Sequence, residues 1–141
     1  MRIITVFALF ILTSCGGISL RHEYNVKKYI EKRACAQAQG WLSAQNYNVV
    51  GISCAPVKVR YIEYRVFNCG SEEPNYLGCF EADEEEDKFG ATTVSYDITI
   101  ATQNWGWENT LVHEYCHFLL FYAGYADWVD ACHTTVTEPE S

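Results

Sequence analysis

Apolar and polar positions along the chain alternate between a helical and a strand period. From about Asn25 to Gln45, apolar side chains recur at helical spacing through Val26, Tyr29, Ile30, Ala34, Ala38, Trp41 and Leu42. This predicts a helix in which Gly40 is a weak point or an early end. Val57 to Phe67 predicts a strand whose alternation changes phase: Val57, Val59 and Tyr61 give way to Ile62, Tyr64 and Val66, as a bulge or a strand covered on both faces requires. Tyr76 to Ala82 predicts a second, short strand. Thr92 to Thr102 alternates most cleanly, with Val94, Tyr96, Ile98 and Ile100 facing one way and Thr93, Ser95, Asp97 and Thr99 the other. The helical period returns from about Trp107 to Ala123, where Leu111, Tyr115, Phe118 and Tyr122 form one stripe and Val112, Cys116 and Leu119 a second. Most of that circumference is apolar, so this helix is expected to be buried. Glu108 in its first turn suits the helix dipole, and Gly124 is placed to end it. The order of elements predicts an α+β fold: an N-terminal helix, a short, mostly antiparallel sheet and a buried second helix.

The buried helix carries an unusual polar edge, His113-Glu114-Tyr115-Cys116-His117. Residues four apart share a helical face, so both imidazoles can reach one metal ion while Glu114, about 100° around the axis, stays beside them. Two neutral nitrogen donors and a carboxylate able to take a proton from an activated water are what a hydrolytic zinc site needs. Packing alone explains such an edge poorly, because an unsatisfied buried polar group costs about 1–3 kcal/mol.

These five residues, within some twenty of matching helical context, resemble the active-site helix of the zincin metallopeptidases. The resemblance implies a small zincin-like domain in which His113 and His117 bind Zn²⁺, Glu114 is the general base, and a third ligand follows downstream. The metzincin extension is excluded, since Leu120 and Ala123 stand where it requires glycine and histidine. His133 is the preferred third ligand: it follows His117 at a distance that lets the chain turn at Gly124 and return, and it is a donor of the same kind. Asp127 and Asp130 compete for that position or else orient an imidazole, and Glu138 competes from the C-terminal tail. Tyr125 is the candidate donor to an oxyanion. The resemblance also implies a sheet-edge strand that takes the substrate backbone, with residues 92–102 as the candidate.

At the other end, Met1-Arg2 precedes an apolar run from Ile3 to Leu12 and then Thr13-Ser14-Cys15. The run is shorter than the about 20 residues a membrane-spanning helix needs and suits a secretory signal. Leu12 to Cys15 resembles the lipobox of bacterial lipoproteins, which implies cleavage before Cys15 and its lipidation. The expected organisation is a signal peptide over 1–14, a lipid-anchored tether over 15–24 and one domain over 25–141. Gly16 after Cys15 implies outer-membrane sorting in a Gram-negative cell envelope, with the lipid at Cys15 as the membrane contact.

A net charge of −8 and the lack of any basic cluster disfavour nucleic acid as a partner. The acidic run Glu81 to Asp87 is expected to be a solvated loop. Beyond Cys15 six cysteines remain, an even number that fits an oxidising compartment and allows 15 pairings. Pairing neighbours is the simplest expectation: Cys35 with Cys54, Cys69 with Cys79, and Cys116 with Cys132. The last bridge would hold His133 near the other two histidines, whereas free Cys116 or Cys132 would instead offer a thiolate to the metal.

The expected function is a membrane-anchored zinc hydrolase, a small metallopeptidase acting on a peptide or protein. A non-catalytic lipoprotein that binds metal structurally and a surface interaction module are the alternatives.

Overall fold

The structure, a computed structural model, describes the backbone of residues 3–70 and 75–134 and the side chains of residues 20–70 and 75–133. The side chain of Cys15, those of the expected signal peptide, and Glu138 therefore lie outside the described residues. Six elements follow in order: α1 (Ile3–Ala44), β1 (Val57–Ile62), β2 (Gly78–Glu86), β3 (Thr92–Ala101), α2 (Trp107–Tyr122) and α3 (Asp130–Thr134). The chain divides into two compact units, Met1–Glu31 and Lys32–Ser141. Among the described residues no helix is long and apolar enough to cross a membrane.

The fold is α+β, but its sheet is mixed and not mostly antiparallel. The strand order is β1-β3-β2, with β1 parallel and β2 antiparallel to β3. The cleanest predicted strand, β3, is therefore central and paired on both sides, so it is not an edge open to a substrate. Its alternation is a property of adjacent residues, while pairing depends on partners distant in sequence. The outer edge beside α2 belongs to β2. The acidic run is no loop: Glu81 to Glu86 continue β2 as far as Thr92, where β3 begins. An edge strand tolerates such a run because its side chains reach water and its charges discourage pairing with another chain. The phase change after Tyr61 marks the end of β1 at Ile62, and Phe67 and Tyr76 are joined by an isolated bridge. Helix α1 runs through Gly40 and buries Ala34, Cys35, Ala38 and Leu42 along one face.

Register decides which side chains meet. Phe80 and Ala82 stand opposite Ile98 and Tyr96, which stand opposite Val59 and Val57, so these six share one sheet face. That face receives α2. Phe80 packs against Phe118, Phe121 and Trp128, and Tyr96 against Phe118, Phe121 and Tyr122. Leu111, Tyr115, Phe118, Leu119 and Leu120 are fully enclosed.

After Tyr122 the chain reverses at Gly124, whose φ is 80°. The Gly124 N–H donates to the Phe121 carbonyl and the Tyr125 N–H to the Leu120 carbonyl, both at 3.0 Å, satisfying two of the terminal carbonyls of α2. All three neighbour pairings of cysteines are present: Cys35–Cys54, Cys69–Cys79 and Cys116–Cys132. Gly124→Ala should lower stability by about 1–2 kcal/mol through left-handed backbone strain, since open space surrounds a Cβ there. Gly124→Asn should recover part of the loss, with denaturant unfolding as the measurement.

Candidate metal centre and cleft

Two turns of α2 and the last turn of α3 bring three imidazoles together. One ring nitrogen from each of His113, His117 and His133 lies within 4.8 Å of the others. The ring centroids of His113 and His117 are 4.7 Å apart, those of His113 and His133 4.9 Å, and those of His117 and His133 5.1 Å. Helical period supplies the first pair; the turn at Gly124 and the disulfide from Cys116 to Cys132 supply the third. Cys132 is the residue before His133, and Cys116 the residue before His117, so the bridge ties the two ligand-bearing helices beside the rings. Neither sulfur is free to act as a ligand.

His117 is held in one tautomer. Its Nδ1 lies 3.0 Å from the Trp128 carbonyl, which can only accept, so the proton resides on Nδ1 and Nε2 keeps its lone pair. That lone pair faces His113 Nε2 at 3.1 Å. Without a metal, a proton on His113 Nε2 satisfies the contact. Two ligands of a tetrahedral zinc ion with bonds of about 2.0–2.1 Å stand roughly 3.3 Å apart, so the pair is already spaced for a shared cation. Burial, together with the neighbouring imidazoles, pushes His113 down to about 4, and burial lowers His117 as well. Both rings are thus neutral at pH 7, the form that donates to a metal. The donor set fits zinc.

Glu114 is buried on the same helix, one residue from His113. Desolvation raises its pKa to about 8, opposed by a hydrogen bond donated by the Phe80 backbone N–H. Strand β2 approaches closely here: a Cβ on Gly78 would lie 2.6 Å from Thr110 Cγ2 and 2.7 Å from Glu114 Oε1. Gly78 therefore leaves the room that the Glu114 side chain occupies. The cluster opens on a cleft of about 500 Å³ lined by β2 residues, by α2 and by Trp128, Val129 and His133.

The competing residues are engaged elsewhere or lie apart from the cluster. Asp127 accepts a 2.8 Å hydrogen bond from the Tyr47 hydroxyl, and neither it nor Asp130 joins the three histidines. The carbonyl of Trp128, not an aspartate, orients His117. Tyr125, the candidate oxyanion donor, is not among the residues lining the cleft: its hydroxyl accepts from the Asn48 N–H at 2.8 Å and its ring packs edge-on against Tyr47. Sequence reasoning missed Trp128, Phe80 and Gly78. The first two act through their backbones, which no side-chain pattern records. A glycine opening a strand did signal a close approach.

The bridge should matter to metal retention. Replacing Cys116 and Cys132 together by serine removes a cross-link spanning 16 residues, worth about 3 kcal/mol in a loop of that size. It should also weaken zinc binding in competition with a chromophoric chelator, because His133 must then be ordered at the moment of binding. In the metal-free protein two groups oppose each other. Glu114, raised in the folded state, costs stability as pH rises from about 4.5 towards 8, whereas His113, lowered in the folded state, costs stability as pH falls from about 6.5 towards 4. Denaturant titrations should therefore find the metal-free form more stable at pH 6.5 than at pH 8.

Compared with known protein families, curated proteins and solved structures, the chain matches none. The zincin resemblance accordingly rests on the five-residue motif and on the convergence of the three imidazoles.

Proposed function

We propose that this protein is a zinc-dependent hydrolase of peptide bonds. One observation carries the reading: three imidazole donors converge beside a buried carboxylate, at the wall of a cleft large enough for a substrate. Among the described residues the cluster has three protein ligands, the number that catalytic zinc sites keep, whereas structural sites close with four. This disfavours a purely structural metal. Three disulfides fit an oxidising compartment, consistent with export and with the lipid anchor proposed at Cys15.

Zinc bound there supplies Lewis acidity, polarising a carbonyl and making water a better nucleophile at neutral pH. The protein's own residues do the rest. His113, His117 and His133 would hold the ion, with His117 kept in its donor tautomer by the Trp128 carbonyl. Glu114 is the proton acceptor. Its raised pKa reflects burial, and a divalent charge held by the neighbouring imidazoles would favour its carboxylate form. The Phe80 N–H also favours that form. Glu114 then takes a proton from water as the carbonyl is attacked and passes it to the leaving amine. Tyr76 and Asn109 line the cleft and offer donors for developing negative charge.

Glu114→Gln should retain zinc and lose hydrolysis by at least about a hundredfold, while His113→Ala should lose both. Gly78→Ala should retain zinc and lower turnover, because the added methyl displaces Glu114. Metal content and cleavage of a casein or peptide-library substrate would be measured on the same samples. Undiminished hydrolysis by Glu114→Gln would refute the role given to Glu114.

A further inference from the structure

Two tyrosines join the end of α1 to the turn before α3, at a place the proposed chemistry does not touch. Each directly follows a residue with left-handed backbone just past a helix end: Tyr47 follows Asn46, with φ 68°, and Tyr125 follows Gly124, with φ 80°. Their rings meet edge-on with centroids 5.0 Å apart. Each then bonds to the opposite segment. The Tyr47 hydroxyl donates to Asp127 Oδ2 at 2.8 Å, and the Asn48 N–H donates to the Tyr125 hydroxyl at 2.8 Å. The first of these bonds joins residues 80 apart in sequence, so no local geometry requires it.

Both sides of this clasp are fixed. On the α1 side, Gln39 Nε2 donates to the Ile52 carbonyl at 2.6 Å, Cys35 is bonded to Cys54, and Val49 is fully enclosed. The loop that presents Tyr47 and Asn48 is therefore anchored to the helix. On the other side, the Asp127 carbonyl accepts from the Ala131 N–H at 2.9 Å. Asp127 is thus held through its side chain by Tyr47 and through its backbone by α3. The turn it closes contains Trp128, whose carbonyl lies 3.0 Å from His117 Nδ1 and whose ring stands edge-on to that imidazole with centroids 5.8 Å apart. Contacts with Phe80 and Phe121 fix the Trp128 ring. They do not fix its carbonyl, which turns with the backbone and follows Asp127.

We infer that Tyr47 and Asp127 are positioning residues for the metal centre: their bond fixes the turn that holds the Trp128 carbonyl on His117, and with it the orientation and tautomer of that ring. This rests on the metal reading of the three histidines and deepens it, because the end of α1 becomes part of the support for the site. Loss of the partner that directly orients a ligand lowers metal affinity by about 10–100-fold. One residue further back, at an exposed bond, the effect is smaller.

Tyr47→Phe removes the hydroxyl and keeps the ring contact with Tyr125; Asp127→Ala removes the acceptor, and Asp127→Asn keeps one. Nitrogen NMR of the imidazoles in the full-length, metal-free protein at neutral pH would report which nitrogen of His117 carries the proton. Competition with a chromophoric chelator would give zinc affinity on the same samples. Tyr47→Phe and Asp127→Ala should each raise the ratio of the Nε2–H to the Nδ1–H form of His117 by about threefold or more. Each should weaken zinc binding by about three- to tenfold, and the double variant should lose no more than either alone. Asp127→Asn should restore both readouts. Should Asp127→Ala fail to fold, Tyr47→Phe, which deletes a single oxygen, decides alone. A lower denaturant midpoint with tautomer and zinc affinity unchanged would overturn the proposal, leaving the clasp a role in folding only. Loss of zinc by Asp127→Asn as complete as by His113→Ala would also overturn it, by making Asp127 a ligand. Wild-type protein that takes up no zinc would refute the metal reading, and the tautomer of His117 in the same variants would still decide whether the clasp positions the ring.

Discussion

Burial of α2 is the constraint on which the site depends. A helix enclosed by the sheet on one side and by the returning chain on the other must desolvate whatever it carries, and this one carries His113, Glu114 and His117. Each finds a partner that a surface helix would not need. His117 donates to the Trp128 carbonyl, His113 faces His117, and Glu114 accepts from the Phe80 backbone. Desolvation also shifts their proton affinities, favouring the neutral form of His113 and His117 and the protonated form of the Glu114 carboxyl. The same burial that stabilises the fold thus prepares lone pairs for a metal.

Phe80 connects the two halves of this arrangement. Its ring sits among Tyr96, Phe118, Phe121 and Trp128, fixing the sheet against α2. Its backbone N–H meanwhile holds Glu114. Because a ring and an amide of one residue serve packing and carboxylate orientation together, a shift of β2 would disturb both. The glycine two residues earlier is the counterpart: it is small where the carboxylate needs space.

The third histidine obeys a different logic. His113 and His117 are neighbours by helical geometry, but His133 is exposed and sits on a helix of five residues, too short to persist alone. What holds it is the covalent link from Cys132 back to Cys116, together with the reversal at Gly124. A cross-link beside this histidine cluster would transfer the ordering cost of any metal binding there to folding.

Local chemistry was legible in the residues themselves. The period of α2, the facing of His113 and His117, the alternation of β3 and the glycine that ends α2 all follow from short-range geometry, because helix and strand periods are properties of adjacent residues. Cysteine parity pointed to disulfides but left 15 pairings open, and the structure has the simplest of them, neighbour with neighbour. Tertiary structure alone decided that β3 is central, that Glu81 to Glu86 extend an edge strand, that Asp127 serves Tyr47 and Tyr125 serves Asn48, and that His133 reaches the other imidazoles. It also decided that backbone groups of Phe80 and Trp128 orient the site. Each of these depends on contacts between residues far apart in the chain or on main-chain atoms common to every residue, and neither leaves a periodic trace in the order of side chains.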